Sequence, residues 1–215
     1  MDLNIKVSHL FIISLITLIG FCTMALLVNR DQIVGFDKPI VSFVQGLETP
    51  LLTTILKFFT FIGAGSTIKV LAFIMVVILF FFFKQRSKIF LFIVVLIGSH
   101  YVFRVLKLLF HRARPDLNRL IEIGGYSFPS GHATNAMTFY GSLAFLLWSH
   151  IPTRQGRTIL IVFSASMIFL IGLSRVYLGV HYPSDVIAGY CAGGFWLVLA
   201  VGIYQFVMKA IRNHG

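Results

Sequence analysis

Several long runs of uncharged apolar residues constrain this chain more than any other feature of its sequence, and residues 10–28 form the first of them. A bilayer crossing takes about 20 apolar residues, and a run of this length satisfies its own backbone in lipid only as a helix. The composition agrees, since 58% of the 215 residues are hydrophobic and only 12% are charged, against about 25% charged in soluble domains. We therefore predict an integral membrane protein and exclude a soluble cytosolic enzyme.

Six apolar runs predict an all-α, polytopic membrane protein, a bundle of six transmembrane helices in a single domain over residues 1–215. The runs are residues 10–28, 70–83 (extended back to 65), 89–110, 132–151, 158–173 and 186–208. Between the first two, residues 37–57 space apolar side chains at three- and four-residue intervals. This spacing predicts a short amphipathic helix on the outer interface, broken or kinked at Pro50, which either caps the bundle or guides a lipid.

The cations predict how the chain is oriented in the cytoplasmic membrane. The formal net charge is +11, and the basic residues lie between the apolar runs, so we attribute them to topology and anion recognition and expect no nucleic-acid partner. With both termini cytoplasmic, every inside segment is basic, through Lys6, Lys84, Arg86, Lys88, Arg154, Arg157, Lys209 and Arg212. The stretch from Arg104 to Arg119 would then lie outside and violate the rule, which predicts a functional site on the outer face.

Three polar clusters flank the predicted outer ends of spans three to six. They are Lys107-x6-Arg114-Pro115, Pro129-Ser130-Gly131-His132 and Ser174-Arg175-x5-His181-x3-Asp185. With this topology they lie on one side of the membrane and at one level. We expect them to converge.

The first property of these clusters is affinity for an anion. Lys107, Arg114 and Arg175 would bring three cations together near lipid, where unpaired charges are costly. Arginine offers a planar fork for phosphate oxygens and lysine a point charge. Ser130 is a good helix N-cap, and Gly131 lets the backbone approach an anion closely. These five residues predict a phosphate-binding cluster.

The second property is nucleophilic and acid–base chemistry. An Asp185 carboxylate four residues after His181 can hold one imidazole nitrogen and leave the other free to attack phosphorus. His132, on a different helix, could protonate the leaving oxygen and later activate water. The residues therefore predict a two-step route through a phosphohistidine.

A metal-dependent route fits these residues less well, and we expect no metal or other cofactor. A two-metal site needs several oxygen ligands, and only Asp185 belongs to the clusters, with Asp116 and Glu122 as loop candidates. A zinc site of His111, His132 and His181 would add a cation to three others.

The remaining loop residues have simpler interpretations. We expect His111 and Arg112 on a solvated loop face and Tyr126 as a loop anchor. For Arg119 we favour an ion pair with Glu122 over contact with a second phosphate.

The three clusters together resemble the three-part signature of the type 2 phosphatidic acid phosphatase superfamily at all 11 fixed positions. The chain is similar to small bacterial members that act on phosphatidylglycerophosphate and undecaprenyl pyrophosphate. The resemblance implies His181 as nucleophile, Asp185 as its partner and His132 as acid/base. It also implies that Lys107, Arg114, Ser130, Gly131 and Arg175 hold the phosphate without a metal. It includes Ser174 but implies no clear role for it.

The resemblance implies an integral membrane lipid phosphatase whose partners are the bilayer and a lipid with a terminal phosphate, with no obligate protein partner. The candidate substrates are phosphatidylglycerophosphate, undecaprenyl pyrophosphate, phosphatidic acid and diacylglycerol pyrophosphate. A lipid or anion transporter is an alternative use of a basic cluster, but the inner halves of the spans carry no matching polar path. A vanadate-dependent haloperoxidase shares the signature, but those relatives are soluble and larger.

Overall fold

The structure of the chain is a computed structural model that describes residues 7–116 and 118–214. Over these residues it contains eight α-helices and no β-strand. The helices are α1 (Val7–Asn29), α2 (Val34–Gln45), α3 (Pro50–Ile62), α4 (Gly65–Phe81), α5 (Arg86–Phe110), α6 (Gly131–Trp148), α7 (Arg154–Tyr177) and α8 (Pro183–His214). The predicted all-α class is confirmed. Lys6, used in the orientation prediction, lies outside the described residues.

Four of the described helices are long and apolar enough to cross a membrane, namely α1, α5, α7 and α8. Helices α3 and α4 together would make a fifth crossing, although the chain bends by 57° between them. Helix α6 is not among these, because it carries many polar side chains, including the buried Thr134, Thr138 and Ser142. The structure therefore supports four to five crossings, and the predicted count of six is not confirmed.

The segment predicted as one kinked amphipathic helix, residues 37–57, belongs to two helices that are separated just before Pro50. Thr49 caps the second helix, because its side chain accepts a hydrogen bond from the Leu52 N–H group (3.3 Å). Pro50 suits the first helical position, where no N–H donor is needed. Helix α2 places Asp37 inside the protein with only 1% of it exposed, which the amphipathic pattern did not predict.

Helix α8 packs along α1, α5 and α6 and so forms the centre of the bundle. Its approach to α6 is closest at Gly189 and Gly193. A β-carbon on Gly189 would lie 2.6 Å from the Ser130 carbonyl oxygen, and one on Gly193 would lie 2.9 Å from the Thr134 carbonyl oxygen. Only glycine allows backbones to approach this closely. The contact brings the first turns of α6 and α8 side by side.

Alternating helix directions place the three polar clusters at one end of the bundle. The Ser130 N–H group donates to the Asp185 carbonyl oxygen (2.9 Å) and joins the starts of α6 and α8. At the opposite end, the Lys88 ammonium donates to the Ser149 hydroxyl (2.9 Å) and joins the start of α5 to the end of α6.

Candidate active site

Four helix ends and one long loop surround the candidate site. Helix α5 ends and α6 begins here, and the loop between them crosses the end of α7 and the start of α8. His111 turns the chain into this loop with a left-handed backbone, φ 47°. Backbone bonds hold the loop, among them those from the Ser127 N–H to the Arg112 carbonyl (2.8 Å) and from the Leu120 N–H to the Leu178 carbonyl (3.1 Å).

His181 and Asp185 form a buried pair at the centre of the site. His181 Nδ1 lies 3.3 Å from Asp185 Oδ2, and the same oxygen accepts bonds from the Tyr182 N–H (2.9 Å) and the Ser127 hydroxyl. A carboxylate on this side assigns the proton of a neutral imidazole to Nδ1 and leaves the lone pair on Nε2. Burial lowers the pKa of His181 to about 3 in spite of the adjacent carboxylate, so the ring is neutral at pH 7.

Arg114 lies on the other side of the His181 ring. Its Nη1 is 3.2 Å from His181 Nε2 and donates to the Val180 carbonyl (2.7 Å). The rest of the guanidinium donates to two loop carbonyls, at 3.0 and 3.1 Å. Burial lowers the pKa of Arg114, although an arginine still remains a cation at neutral pH. The free imidazole nitrogen therefore faces a fixed positive charge.

Arg175 lies near the end of α7 and is 1% exposed. One of its terminal nitrogens donates to the Thr60 hydroxyl of α3. Among the described residues its Nε has no hydrogen-bond partner. An unsatisfied buried donor is unfavourable, so this N–H group is suited to receive an anion. The adjacent Ser174 donates to the Ile171 carbonyl of its own helix (2.6 Å), which is a local structural contact.

The second cluster forms the start of α6. Ser130 is the N-cap, and its side-chain oxygen accepts a bond from the Ala133 N–H group (3.5 Å). First-turn N–H groups, including those of Gly131 and His132, have no acceptor within a helix and favour an anion. Gly131 lies against Phe103, whose ring would be 3.2 Å from a β-carbon at this position.

His132 and Lys107 complete the predicted set. The His132 ring lies within electrostatic range of Arg175, His181 and Lys107. The Lys107 ammonium donates to the Tyr126 carbonyl oxygen (2.6 Å). The structure thus brings all eight predicted site residues to one end of the bundle.

Arg112 departs most from the sequence prediction, which placed it on a solvated loop face. Its side chain is only 14% exposed, and its two terminal nitrogens donate to Asp185 Oδ1 (2.6 Å) and Asp37 Oδ2 (2.8 Å). Burial by itself lowers the pKa of Arg112, but the charges of Asp185 and Asp37 outweigh it and the net shift is upward. The prediction was wrong because two buried carboxylates draw the guanidinium inward.

The side chains of four further residues also form hydrogen bonds at the site although the sequence prediction omits them, namely Asp37, Thr60, Ser127 and Ser184. Asp37 bonds to Ser184 across 147 positions of the chain, and no spacing rule connects residues so far apart. Of these four residues, only Ser184 could have been recognised from the sequence, because its hydroxyl lies beside a candidate catalytic acid at a predicted helix start.

Two smaller predictions concern the loop. Arg119 pairs with Asp116 (2.9 Å), so the predicted pair with Glu122 was wrong; Asp116 lies three residues before Arg119 and accepts its guanidinium directly. The Tyr126 ring packs edge-on against His111, with ring centroids 4.5 Å apart, as a loop anchor would.

Over residues 7–116 and 118–214, no three His, Cys, Asp or Glu side chains are arranged to hold a metal ion. The side chain of Asp116 is 98% exposed, and His111 packs on Tyr126. Neither alternative metal-ligand set of the sequence analysis is assembled by these residues.

Comparison with known proteins connects this geometry to a family. A family model described as the PAP2 superfamily matches residues 88–209, a span that contains all three polar clusters. The chain belongs to the PAP2 superfamily. The resemblance drawn from residues 107–185 is therefore confirmed.

The named relatives of this PAP2 protein are phosphatases. The chain is 31% identical to a phosphatidylglycerophosphatase B of Bacillus subtilis over 191 residues, which is 88% of this chain and 93% of that protein. It is 30% identical to an undecaprenyl-diphosphatase of Sulfolobus acidocaldarius over 180 residues, 82% of each chain. The crystal structure of a transmembrane PAP2-type phosphatidylglycerolphosphate phosphatase from Bacillus subtilis covers 90% of this chain and 96% of its own, with a TM-score of 0.84 and 28% identity.

The family and its named phosphatase relatives confirm the sequence prediction of a membrane lipid phosphatase. The apolar helices agree with the description of the Bacillus subtilis phosphatase structure as transmembrane.

Proposed function

We propose that this PAP2 phosphatase removes the terminal phosphate of a phospholipid or isoprenoid lipid, with phosphatidylglycerophosphate, undecaprenyl pyrophosphate and phosphatidic acid as the candidate substrates. The names of the relatives support the first two. The observation that carries the mechanism is the placing of His181, whose Nδ1 faces Asp185 while Nε2 faces the Arg114 cation. A phosphate that takes the Arg114 donor would lie directly in front of the imidazole lone pair.

The proposed reaction has two steps. First, His181 Nε2 attacks phosphorus, the bond from phosphorus to the lipid oxygen breaks, and His132 gives a proton to that oxygen. Asp185 stabilises the cationic phosphoimidazole through Nδ1–H. Second, His132 takes a proton from water, the water oxygen bonds to phosphorus, and the bond to Nε2 breaks. Inorganic phosphate leaves and His181 is neutral again.

The phosphate-binding cluster of Lys107, Arg114, Ser130, Gly131 and Arg175 supplies the positive electrostatic environment that this chemistry needs. Charge builds up on the three equatorial oxygens during transfer, and donors fixed in advance stabilise it. The Nε of Arg175, which bonds to none of the described residues, supports this role. Because the cluster already provides three cations, we propose a reaction that needs no metal or other cofactor.

We also propose the arrangement of the chain in the bilayer. It forms one domain with six crossings, in which α3 with α4 is the bent second crossing and α6 the fourth. Both termini are cytoplasmic and the site faces the outer side of the cytoplasmic membrane. Every segment that this orientation places inside carries Lys or Arg, which supports the orientation. A lipid phosphate group at the interface could then reach the site while its chains stay in the bilayer.

Trapping of the phosphoenzyme tests the mechanism. Purified protein is mixed with lipid carrying a radiolabelled terminal phosphate and quenched with base, which preserves phosphohistidine. We expect label on the wild type and none on His181→Gln, with kcat lower by about 10⁴-fold or more. His9→Gln is the matched control, because His9 is exposed on α1 at the far end of the bundle. Label or turnover in His181→Gln contradicts the proposal.

A second variant separates the two histidines. His132→Gln removes the proton donor, but an aryl phosphate with a good leaving group does not need one. We expect this variant to form the phosphoenzyme from such a substrate and then to accumulate it, because water activation is lost. Turnover at the wild-type rate would exclude His132 as the acid/base.

A further inference from the structure

Two buried carboxylates from different helices share one guanidinium at the start of α8. Arg112 donates from one terminal nitrogen to Asp185 Oδ1 (2.6 Å) and from the other to Asp37 Oδ2 (2.8 Å). Asp37 is 1% exposed and Asp185 is 0% exposed. Without the guanidinium, two buried carboxylates would lose the cation that both of them contact, which is strongly unfavourable.

Asp37 also holds the first turn of α8. Its Oδ1 accepts the Ser184 N–H group (2.9 Å), and its Oδ2 accepts the Ser184 hydroxyl (2.6 Å). A carboxylate at this position satisfies donors that have no acceptor within the helix and interacts favourably with the helix dipole. Ser184 lies between His181 and Asp185 in the chain. Asp37 therefore fixes the turn that carries both members of the central pair.

Arg112 also contacts this turn. The guanidinium carbon lies 4.2 Å from the centre of the Tyr182 ring, and Nη1 also donates to the Ser184 hydroxyl (2.8 Å). Because Arg112 bonds to Asp185 Oδ1, the other carboxylate oxygen is left to face His181 Nδ1. Arg112 thereby restricts rotation of the carboxylate that orients the imidazole.

We propose that Asp37 and Arg112 form a charge-compensated positioning pair that holds Asp185, and through it the His181 nucleophile, in the reactive orientation. The inference rests on the proposed function, which makes His181 the nucleophile. Neither member of the pair belongs to the phosphate-binding cluster, and both act through Asp185.

Charge compensation predicts how two substitutions combine. Arg112→Gln removes the cation that Asp37 and Asp185 share, so we expect kcat to fall by about 10- to 100-fold with little change in KM. In Asp37→Asn, Arg112 keeps its ion pair with Asp185, so we expect kcat to fall by less than about tenfold. The double variant removes one charge of each sign, and its kcat should exceed that of Arg112→Gln by about threefold or more. If the two residues acted only through packing, the kcat losses of the two single variants would multiply in the double variant.

The Arg119–Asp116 pair of the same loop is the matched control. It is an ion pair at 2.9 Å whose acidic side chain is 98% exposed. We expect Arg119→Gln, Asp116→Asn and their combination to keep kcat within about twofold of the wild type.

His181→Gln, measured in parallel, reports on the proposed function. If it is active, the proposed function fails; if it is inactive and the double variant is no faster than Arg112→Gln, only the positioning inference is overturned.

Gel filtration in detergent and thermal unfolding identify variants that do not fold. If Arg112→Gln is among them, Ser184→Ala takes its place, because it keeps both charges and removes only the hydroxyl that bonds to Asp37 and Arg112. We expect kcat of Ser184→Ala to fall by about three- to tenfold at an unchanged KM. Wild-type kcat in a folded Ser184→Ala protein overturns the inference.

Discussion

At the scale of single residues, the site depends on one carboxylate that accepts several bonds at once. Asp185 Oδ2 faces His181 and also accepts bonds from Tyr182 and Ser127, while Oδ1 is bonded to Arg112. A carboxylate with so many donors stays ionised and has little freedom to rotate. That fixed negative charge determines which imidazole nitrogen carries the proton and therefore which one is free to react.

The buried imidazole predicts how stability depends on pH. The pKa of His181 is about 3 in the folded protein and about 6.5 in an unfolded chain. Asp185, Arg114, Arg175 and His132 face this ring. As the pH falls, His181 therefore binds a proton in the unfolded chain at a higher pH than in the folded protein. The stability that comes from burying the neutral His181 ring is complete above about pH 6.5 and is lost as the pH falls toward about 3.

We expect the melting temperature in detergent to decrease from pH 7 to pH 4.5, and to decrease less steeply in His181→Gln than in the wild type. His9→Gln serves as the control with the wild-type slope, because His9 is exposed. Equal slopes in His181→Gln and the wild type would show that the buried ring does not contribute.

At the scale of elements, the packing of α8 on α6 places the two histidines of the proposed mechanism. The first turn of α6 carries His132, and the turn before α8 carries His181. The two helices can approach closely because the contact face of α8 carries glycines, Gly189 and Gly193, which have no side chain to separate the backbones. The catalytic geometry therefore depends on backbone distance as much as on the reactive side chains.

We predict that Gly189→Ala lowers kcat by about tenfold or more and reduces the melting temperature. The added β-carbon would meet the Ser130 carbonyl at 2.6 Å and so would move α8 away from α6. Gly202→Ala is the matched control on the same helix, because its nearest contact, Leu10, is at an ordinary 3.8 Å. We expect Gly202→Ala to be as active as the wild type and no less stable, since alanine favours the helix. Equal activity in both variants would contradict this account of the packing.

At the scale of the whole molecule, the two ends of the bundle have different chemistry. One end carries the three polar clusters and the central pair. The other end carries basic residues outside the site, such as Arg86, Arg154 and Arg212. The stretch from Arg104 to Arg119 makes the first end basic as well, and we attribute those cations to anion binding at the site. The basic residues of the other end have no such role, so the positive-inside rule predicts that this other end is cytoplasmic.

Cysteine labelling in intact cells tests the orientation. With Cys22 and Cys191 replaced by serine, Glu122→Cys near the site should react with a membrane-impermeant maleimide, and Gln155→Cys at the other end should not. Both positions are exposed. After the membrane is permeabilised, both should react. Labelling of Gln155→Cys alone in intact cells would reverse the proposed orientation.

The sequence by itself determined the all-α membrane class, the family and the short polar clusters that contain the eight proposed site residues. Apolar run length is a local property, and the reactive residues occur in short clusters whose chemistry can be interpreted directly. It predicted a helix over α6, but the membrane crossing assigned to this helix stays a prediction, because its buried polar side chains lower its hydropathy. The bend between α3 and α4 was likewise not visible in the apolar pattern.

Only the tertiary structure decided how those residues are held. The bond from Ser184 to Asp37 spans 147 positions, and Arg112 looked like a solvated loop cation until two carboxylates from different helices were found around it. Buried charges are stable only beside compensating partners. Because folding brings those partners together from distant parts of the chain, no local pattern can indicate that Arg112 lies between Asp37 and Asp185.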